Sequence, residues 1–345
     1  MKTLVGIDIG ADSLKLALVQ GRRVRGTAIA AMPQNLLRDG HIVSPETVAE
    51  LIRNTMRENR LRANEAAIVL PAETTFVRNV IVPRMTPDQL VYNLPFEFRD
   101  YITDELKNYV YDYAVLSTEV EGAELTNPDN APEGSEKSDV RPKMELMAAA
   151  TSAVAFRETR DMLRNAGLKL VKAAPAASSF VALIRNMDDA KRPESGEYAF
   201  LDLGYRSIRL HIFKGERLEA TRELETGLSA VDAALADAMN VDIHLAHTYL
   251  RSNFDECRSK EVALTAFTGI AVELMRAVNF YSFSNQQSRL NDIWLCGGGA
   301  VITELRSAIA EQLEMKLHSA DELVSGGEGI ENCHSFVQAI GACEY

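Results

Sequence analysis

Two distant stretches of this chain share one skeleton of residues. GIDIGADSLKLALVQG occupies residues 6–21, and FLDLGYRSIRLHIFKG occupies residues 200–215. Superposed without a gap, they align aspartate with aspartate, glycine with glycine, serine with serine and base with base: Asp8 with Asp202, Gly10 with Gly204, Ser13 with Ser207, and Lys15 with Arg209. Each stretch has the pattern of a strand, a tight turn and a second strand. The duplication predicts two related lobes.

The elements that follow each hairpin also repeat, and together they predict an α/β fold. In each half a third strand completes a β-meander, and helices come after it. We expect two lobes, each with a mixed sheet built on the duplicated meander. Lobe I takes residues 1–72 and 151–195, and lobe II takes residues 196–345 with a helical part at about 225–290.

Residues 73–150 have a different pattern and predict a small α+β domain inserted into lobe I. Thr86 and Gln89 have the spacing of a helix capping box, directly before an apolar run. The aromatic residues are expected to form the core of this domain, with the open alternative that some line a groove for a partner: Phe96, Phe98, Tyr101, Tyr109, Tyr111 and Tyr113. The acidic stretch 119–143 lacks large apolar residues, and we expect a flexible loop there.

Composition limits the partners and the location that we expect. The net charge is −12, which disfavours nucleic acid, because its phosphates select lysine and arginine. The longest apolar stretches have the length of strands, so we expect no direct membrane insertion. The first motif follows Met1 almost at once, and a cytoplasmic location without a signal peptide is expected.

The chemistry of the paired hairpins favours a polyphosphate. Each aspartate stands at the end of a strand, and the glycine two residues later lets a ligand approach the backbone. Successive N–H groups in such a turn bind anions, and Ser13, Ser207 and Lys15 add polar groups. One such hairpin is typical of a structural turn, but two that face each other can hold a polyphosphate from both sides. Their two carboxylates match the small carboxylate number that hydrated Mg²⁺ accepts.

A third motif, LCGGGAVITELRSAI, leads from a strand through Gly297, Gly298 and Gly299 into a helix. This geometry suits the close approach of a flat or anionic group. A glycine-rich turn needed only for packing is the alternative, and the motif alone leaves both open. After two phosphate hairpins in this order, nucleotide binding becomes the better interpretation.

The order of these three motifs resembles the actin-like ATPase superfamily, which includes actin, Hsp70, sugar kinases, MreB and FtsA. Within it the sequence is most similar to the PilM family of type IV pilus assembly. The similar segments are the GIDIG opening with the Ser-Leu-Lys after it, VIVPRMTPDQL, LPFEFRDYI, VYDYAVL, ATRELETG and the closing AIGAC.

The resemblance implies an ATP site between the lobes and an insert of the type called 1C in FtsA and PilM. Asp8 and Asp202 would hold Mg²⁺ through water, and the motif at 295–300 would face the adenosine. The positions expected to line the nucleotide are Asp8, Gly10, Ala11, Ser13, Lys15, Asp202, Gly204, Tyr205, Ser207, Gly227, Gly297, Gly298 and Gly299.

The resemblance also implies a partner, the cytoplasmic N-terminal tail of a PilN-like inner-membrane protein. The chain would then lie in the cytoplasm, at the inner membrane, through that partner. The expected function is a nucleotide-binding scaffold of type IV pilus assembly, or of related type II secretion. Self-association stays open.

Three positions depart from the family pattern. Tyr205 follows the second hairpin glycine where relatives have a small residue, and Thr226-Gly227 replaces a pair of glycines. His247 stands where an acid is expected, with Arg251 as the nearest base. We therefore expect at most weak ATPase activity, and we assign no catalytic residue.

Three alternatives remain. One is an FtsA-like cell-division protein, which is disfavoured because those proteins usually end in an amphipathic helix and this sequence closes at Tyr345. Another is a small-molecule kinase of the same superfamily. The third is a relative of PilM that has lost its nucleotide through Tyr205 and His247.

Overall fold

A computed structural model describes residues 2–33, 36–38, 40–120, 142–327 and 329–344. The strands in chain order are β1 (Thr3–Ile9), β2 (Ser13–Gln20), β3 (Arg23–Ala31), β4 (Leu37–Arg38), β5 (His41–Ile42), β6 (Glu65–Leu70), β7 (Thr75–Pro83), β8 (Tyr109–Val120), β9 (Lys143–Ser152), β10 (Lys169–Pro175), β11 (Glu197–Leu203), β12 (Ile208–Lys214), β13 (Arg217–Leu224), β14 (Asp292–Cys296) and β15 (Lys316–Ser319). The α-helices are α1 (Pro45–Glu58), α2 (Pro87–Asn93), α3 (Ala153–Asn165), α4 (Ala176–Asn186), α5 (Leu228–Met239), α6 (Ile243–Ser252), α7 (Glu261–Ser284), α8 (Thr303–Gln312) and α9 (Val337–Glu344).

The described residues divide into two compact units. One unit comprises residues 1–72 and 159–345, and the other comprises Glu73–Glu158. The chain enters the second unit before β7 and leaves it inside α3. The two expected lobes fall in the first unit without a division between them, so their boundaries, including the expected end of the insert at residue 150, stay predictions.

Two five-stranded sheets form the frame of the first unit, and they have the same topology. The first has the order β10-β6-β1-β2-β3, and the second, read from the other end, has the order β15-β14-β11-β12-β13. In each sheet an antiparallel meander provides three strands, and two further strands join it in parallel. The predicted fold of two sheets on a duplicated meander is confirmed.

The duplication extends to register. Asp8 lies opposite Lys15 in the first hairpin, and Asp202 lies opposite Arg209 in the second. The irregularity between the second and third strands of each meander also falls at equivalent places, Leu18/Val19 and Ile212/Phe213. Because a shift of one residue would move the buried side chains to the other face, burial of both hairpins fixes this register.

Small residues allow helix α9 to pack very closely in the first unit. A Cβ added at Gly6 of β1 would lie 1.9 Å from the Ala339 carbonyl oxygen, and one added at Gly341 would lie 2.1 Å from that of Ser179 in α4. Both distances are far shorter than any real contact, so this packing requires glycine at position 6 of β1 and at position 341 of α9. This packing positions Gln338 of α9.

The second unit is a three-stranded antiparallel sheet with the order β7-β9-β8, packed against α2 and the short turns after it. Thr86 and Gln89 form the predicted capping box, and Gln89 Oε1 accepts from the Thr86 N–H at 2.9 Å. Leu90, Leu94 and Phe98 point into the core at a four-residue spacing.

The aromatic residues of this unit divide into two groups. Phe98 is fully buried, and the Tyr111 hydroxyl donates to the Leu106 carbonyl at 2.7 Å. Phe96 and Tyr101 are instead exposed. The expectation that all six form the core is therefore wrong for these two, because they lie outside the four-residue spacing that faces the sheet.

The predicted acidic loop at 119–143 lies, over residues 121–141, outside the described part of the chain. Its predicted ends belong to β8 and β9. None of the described helices has both the length and the apolar character needed to cross a membrane.

Candidate functional site

The ends of β1 and β2 bring Lys15 against Asp8. The two residues are opposite each other in the antiparallel pair, and Lys15 Nζ lies 3.0 Å from Asp8 Oδ2. Both side chains are largely buried. Burial alone would lower the pKa of Lys15, but the charges of Asp8 and Asp202 raise it well above its usual range. The ammonium of Lys15 thus lies in the field of carboxylates from both hairpins.

Asp202 occupies the equivalent place in β11 but has a different partner. Arg209, opposite it, pairs with Glu223 of β13 at 2.8 Å. Asp202 Oδ2 instead accepts a hydrogen bond from Gln338 Nε2 of α9 at 2.8 Å. A helix packed on the first sheet therefore holds the carboxylate of the second sheet, and the charges of Asp8 and Asp202 both act on Lys15.

The turns of the two hairpins differ in detail. In the first, the Gly10 N–H donates to the Ser13 carbonyl at 3.0 Å, and Ser13 is buried. In the second, the Gly204 N–H donates to the Asp202 carbonyl at 3.1 Å. A Cβ at Gly227 would lie 2.3 Å from the Tyr205 carbonyl oxygen, so Gly227 is required where the chain presses on this turn. Ala11 and Ser207 are half-buried in their turns.

The three consecutive glycines have three different surroundings. Gly297 has φ +82°, and a Cβ there would lie 2.3 Å from Asp202 Oδ1. A Cβ at Gly299 would lie 2.9 Å from the Leu203 Cβ, so both of these glycines allow the backbone to pack against β11. A Cβ at Gly298 meets no atom within 4 Å. Of the three, only Gly298 faces open space.

The side chain of Tyr205 contacts residues of α5 and α6. Its ring packs against the core of the second sheet and meets the ring of His247 edge-on, with the centroids 5.1 Å apart. Burial, followed by the charge and hydrogen bond of Asp232, raises the pKa of Tyr205 to about 12. The hydroxyl therefore stays protonated at neutral pH.

His247 of α6 lies between two carboxylates. Its Nδ1 is 2.7 Å from Asp232 Oδ2 of α5, and its Nε2 is 3.0 Å from Asp12 Oδ1 in the first hairpin turn. Asp12 Oδ2 also receives Arg251 of α6 at 2.7 Å. Hydrogen bonds to Asp12 and Asp232 raise the pKa of His247 to about 9, although burial opposes them. At neutral pH the imidazole is charged and donates to both carboxylates.

Sequence reasoning missed three members of this region: Gln338, Asp12 and Asp232. The partners of Gln338 and Asp12 lie in distant parts of the chain, and the partner of Asp232 lies on the next helix, so none of these pairs leaves a local pattern. The one available signal was Asp12 itself, a charged residue in a turn otherwise expected to bind anions.

The carboxylates at this site suit a divalent cation that keeps most of its waters, and not one held by protein ligands alone. Among the residues that the structure describes, no group of three or more His, Cys, Asp or Glu side chains could hold a metal ion. Asp8 and Asp202 with Lys15 carry a net charge of −1 and offer hard carboxylate oxygens, which is the kind of ligand that Mg²⁺ prefers when it keeps most of its waters. The residues present therefore fit a hydrated Mg²⁺.

Two copies of one meander, with their aspartates converging at the same place, define an actin-like ATPase fold, and comparisons agree. The chain is similar to the PilM-PilN type IV pilus biogenesis complex, with a TM-score of 0.77 and 23% identity over 98% of this chain and 97% of that chain. It is also similar to the ethanolamine utilization protein EutJ from Carboxydothermus hydrogenoformans, with a TM-score of 0.60 and 13% identity over 100% of this chain and 90% of that chain.

The family model of the type IV pilus assembly protein PilM matches residues 6–325. The chain belongs to this family, and the resemblance seen in its motifs is confirmed. No curated protein matches the sequence.

Proposed function

We propose that the chain is a nucleotide-responsive scaffold of type IV pilus assembly, or of related type II secretion. It binds ATP with Mg²⁺ between its two hairpins and binds the cytoplasmic N-terminal tail of a PilN-like inner-membrane protein. The observations that carry the nucleotide half are the ion pair of Asp8 with the buried ammonium of Lys15 and the hydrogen bond that links Asp202 to α9, a helix packed on the sheet of Asp8.

The first hairpin and Lys15 would bind the phosphates from one side. The Ala11 N–H and the Ser13 hydroxyl would bind phosphate oxygens, Gly10 would let them approach the backbone, and Lys15 supplies the positive charge. Gly204, Tyr205 and Ser207 would act from the second hairpin, with Gly227 supporting its turn. Gly298, the glycine of its motif that opens on free space, would lie beside the adenosine, between Gly297 and Gly299.

Charge makes this site dependent on a divalent cation. Asp8, Asp202 and Lys15 together leave one negative charge, and a triphosphate would add several more. Asp8 and Asp202 would hold Mg²⁺ through its water ligands, and the ion would neutralise phosphate charge. Without Mg²⁺ the two carboxylates repel the phosphates.

Hydrolysis is weak or absent in this proposal. Phosphoryl transfer to water needs a residue that positions the water. Asp8 and Asp202 are the carboxylates at this place, and holding the water ligands of Mg²⁺ already occupies both, so neither is assigned to the attacking water. Nucleotide binding instead changes the balance between two conformations and thereby the surface that a partner meets.

An exposed apolar surface of the second unit supports a protein partner. Three apolar side chains are exposed within six consecutive residues: Val91 (66%), Tyr92 (76%) and Phe96 (61%). Large apolar side chains exposed this close together in the sequence are typical of an interaction surface. A solved relative is a PilM-PilN complex. We infer that the tail of a PilN-like protein packs on this surface and places the chain at the inner membrane.

Titration calorimetry with ATP tests the nucleotide half. The wild-type chain is expected to bind ATP in the presence of Mg²⁺ and to lose about tenfold or more in affinity when Mg²⁺ is omitted or in Asp8→Asn. Asp161→Asn, which removes a partly exposed carboxylate of α3, is the matched control and should bind like wild type. Equal affinity for wild type and Asp8→Asn would overturn the assignment of the hairpins.

A further inference from the structure

Asp12 makes one ion-paired bridge from the first hairpin to the helices of the second sheet. Each of its two carboxylate oxygens has its own cationic partner on α6: His247 on Oδ1 at 3.0 Å and Arg251 on Oδ2 at 2.7 Å. Ala246 and Leu250, the residues directly before these two cations on α6, are buried in the core of the second sheet. The bridge therefore ties the first hairpin to an element fixed in the other half of the first unit.

Further contacts hold Asp12 and His247, the two ends of the bridge, in place. Asp12 is anchored in the hairpin, since its carbonyl accepts from the Met32 N–H at 2.8 Å. His247 is held from behind by Asp232, whose side chain is fully buried, and from the side by the ring of Tyr205. The groups that face His247 are thus Asp12 from the hairpin, Asp232 from α5, Tyr205 from the second hairpin and Arg251 from its own helix.

The bridge also places a negative charge inside a turn that would otherwise receive phosphate. Asp12 lies between Gly10 and Ser13, in the first of the two proposed phosphate turns. A carboxylate a few Å from a bound phosphate repels it, most strongly where water is scarce. His247 and Arg251 are therefore the two cations next to this turn that the structure shows bound to Asp12.

From this placement we propose that Asp12 is a built-in competitor of the nucleotide, which holds His247 and Arg251 across the cleft until the phosphates of ATP displace it. The inference rests on the nucleotide site proposed above. In the nucleotide-free chain the bridge keeps the hairpin and α6 together. When ATP binds, its phosphates take the place of the Asp12 carboxylate in the field of the two cations, and the hairpin is released.

The competitor has a thermodynamic consequence that a merely structural ion pair lacks. Removing its charge weakens the nucleotide-free chain, because His247 and Arg251 lose their shared partner. The same change strengthens ATP binding, because the repulsion disappears and two cations become free. Stability and affinity thus change in opposite directions, and such a coupling is worth about tenfold in affinity.

The test compares Asp12→Asn, an isosteric change, with wild type by calorimetric titration of Mg²⁺-ATP and by urea unfolding. Glu216→Gln is the matched control. Glu216 also carries an ion pair within the first unit, with Arg185 of α4 at 2.7 Å, but it follows β12 at the end away from the hairpin turns. We expect Asp12→Asn to unfold at lower urea and to bind ATP about tenfold more tightly. Glu216→Gln should leave the affinity unchanged.

Each result separates the inference from the proposed function. If wild type binds ATP and Asp12→Asn binds no more tightly, the competitor is overturned and the nucleotide site stands. If neither protein binds ATP, both fall. If Asp12→Asn alone binds measurably, the inference is supported in its strongest form. Should Asp12→Asn fail to fold, Arg251→Gln opens the bridge from the other side. In that variant Asp12 is held by one cation less, so ATP should speed amide exchange in the first hairpin less than it does in wild type; an equal effect of ATP in both proteins contradicts the inference.

Discussion

Gln338 donates its side-chain amide to Asp202 at 2.8 Å, and this one hydrogen bond links α9, packed on the first sheet, to the hairpin of the second. Asp202 in turn acts on the charge of Lys15, which is bound to Asp8. The two aspartates of the repeated motif are thus parts of one polar network. Their convergence does not arise within either hairpin and depends on how α9 returns to the first sheet.

Replacing Gln338 with leucine tests that link. The change keeps the size of the side chain and removes the donor to Asp202. We expect a loss of about 1–2 kcal/mol in the free energy of unfolding, because a half-buried carboxylate loses its partner. Urea unfolding of wild type, Gln338→Leu and the exposed-site control Gln287→Leu measures it. A loss no larger than that of the control would show that the hydrogen bond contributes little.

The stability of the first unit should fall at alkaline pH because of His247. Its pKa is raised from 6.5 to about 9 in the folded chain, so its charged form is favoured by folding. This contribution is complete below pH 6.5 and is lost as pH rises through about 9. The groups responsible are Asp12 and Asp232, with Arg251 also bound to Asp12.

Urea unfolding of wild type and His247→Gln, measured from pH 6 to pH 9.5, isolates this effect. Other groups that titrate in the range contribute equally to both proteins, including Glu344, whose pKa burial raises to about 7. The stability difference between the two proteins should shrink as pH rises. A difference that is constant with pH would show that the charge of His247 is not favoured by folding.

The glycines at 297 and 298 should respond differently to alanine. Gly297→Ala would place a Cβ 2.3 Å from Asp202 at a positive φ, and we expect a cost of about 1–3 kcal/mol. Gly298→Ala meets no atom within 4 Å, so its stability should stay close to wild type. If the adenosine lies beside Gly298, Gly298→Ala keeps its stability but binds ATP more weakly than wild type. Thermal unfolding with and without ATP distinguishes the two effects.

The apolar surface of the second unit offers a test of the partner. Tyr92→Ser should leave folding intact, since the side chain is 76% exposed, and should weaken binding of a PilN-like N-terminal tail peptide by about tenfold. Phe283→Ser is the control, an even more exposed aromatic residue on α7 of the first unit. Fluorescence anisotropy of a labelled peptide measures both. Equal losses in the two variants would mean that the tail does not select the proposed surface.

Local patterns predicted much of this molecule. The hairpin repeat gave the two meanders and their common register, because the aligned residues lie within a few positions of one another. The capping box of Thr86 and Gln89 is equally local. The four-residue spacing of Leu90, Leu94 and Phe98 was also present in the sequence, and it would have separated buried from exposed aromatic residues.

The rest depended on contacts between distant parts of the chain. Arg251 and His247 looked like departures from a family pattern, and only the structure shows that both bind Asp12. Gln338 had no feature that distinguished it from a surface glutamine. Such pairs are set by how helices pack on the sheets, which the spacing of residues along the chain does not encode.

The central claim is that the two hairpins form one site, and a double-mutant cycle on Mg²⁺-ATP affinity tests it most directly. Asp8→Asn, Asp202→Asn and the double variant are each titrated with ATP in excess Mg²⁺. If both carboxylates serve one ion and one triphosphate, the double variant loses clearly less affinity than the two single losses combined, with a coupling of at least about 1 kcal/mol. Strictly additive losses, or wild-type affinity in both single variants, would contradict a shared site.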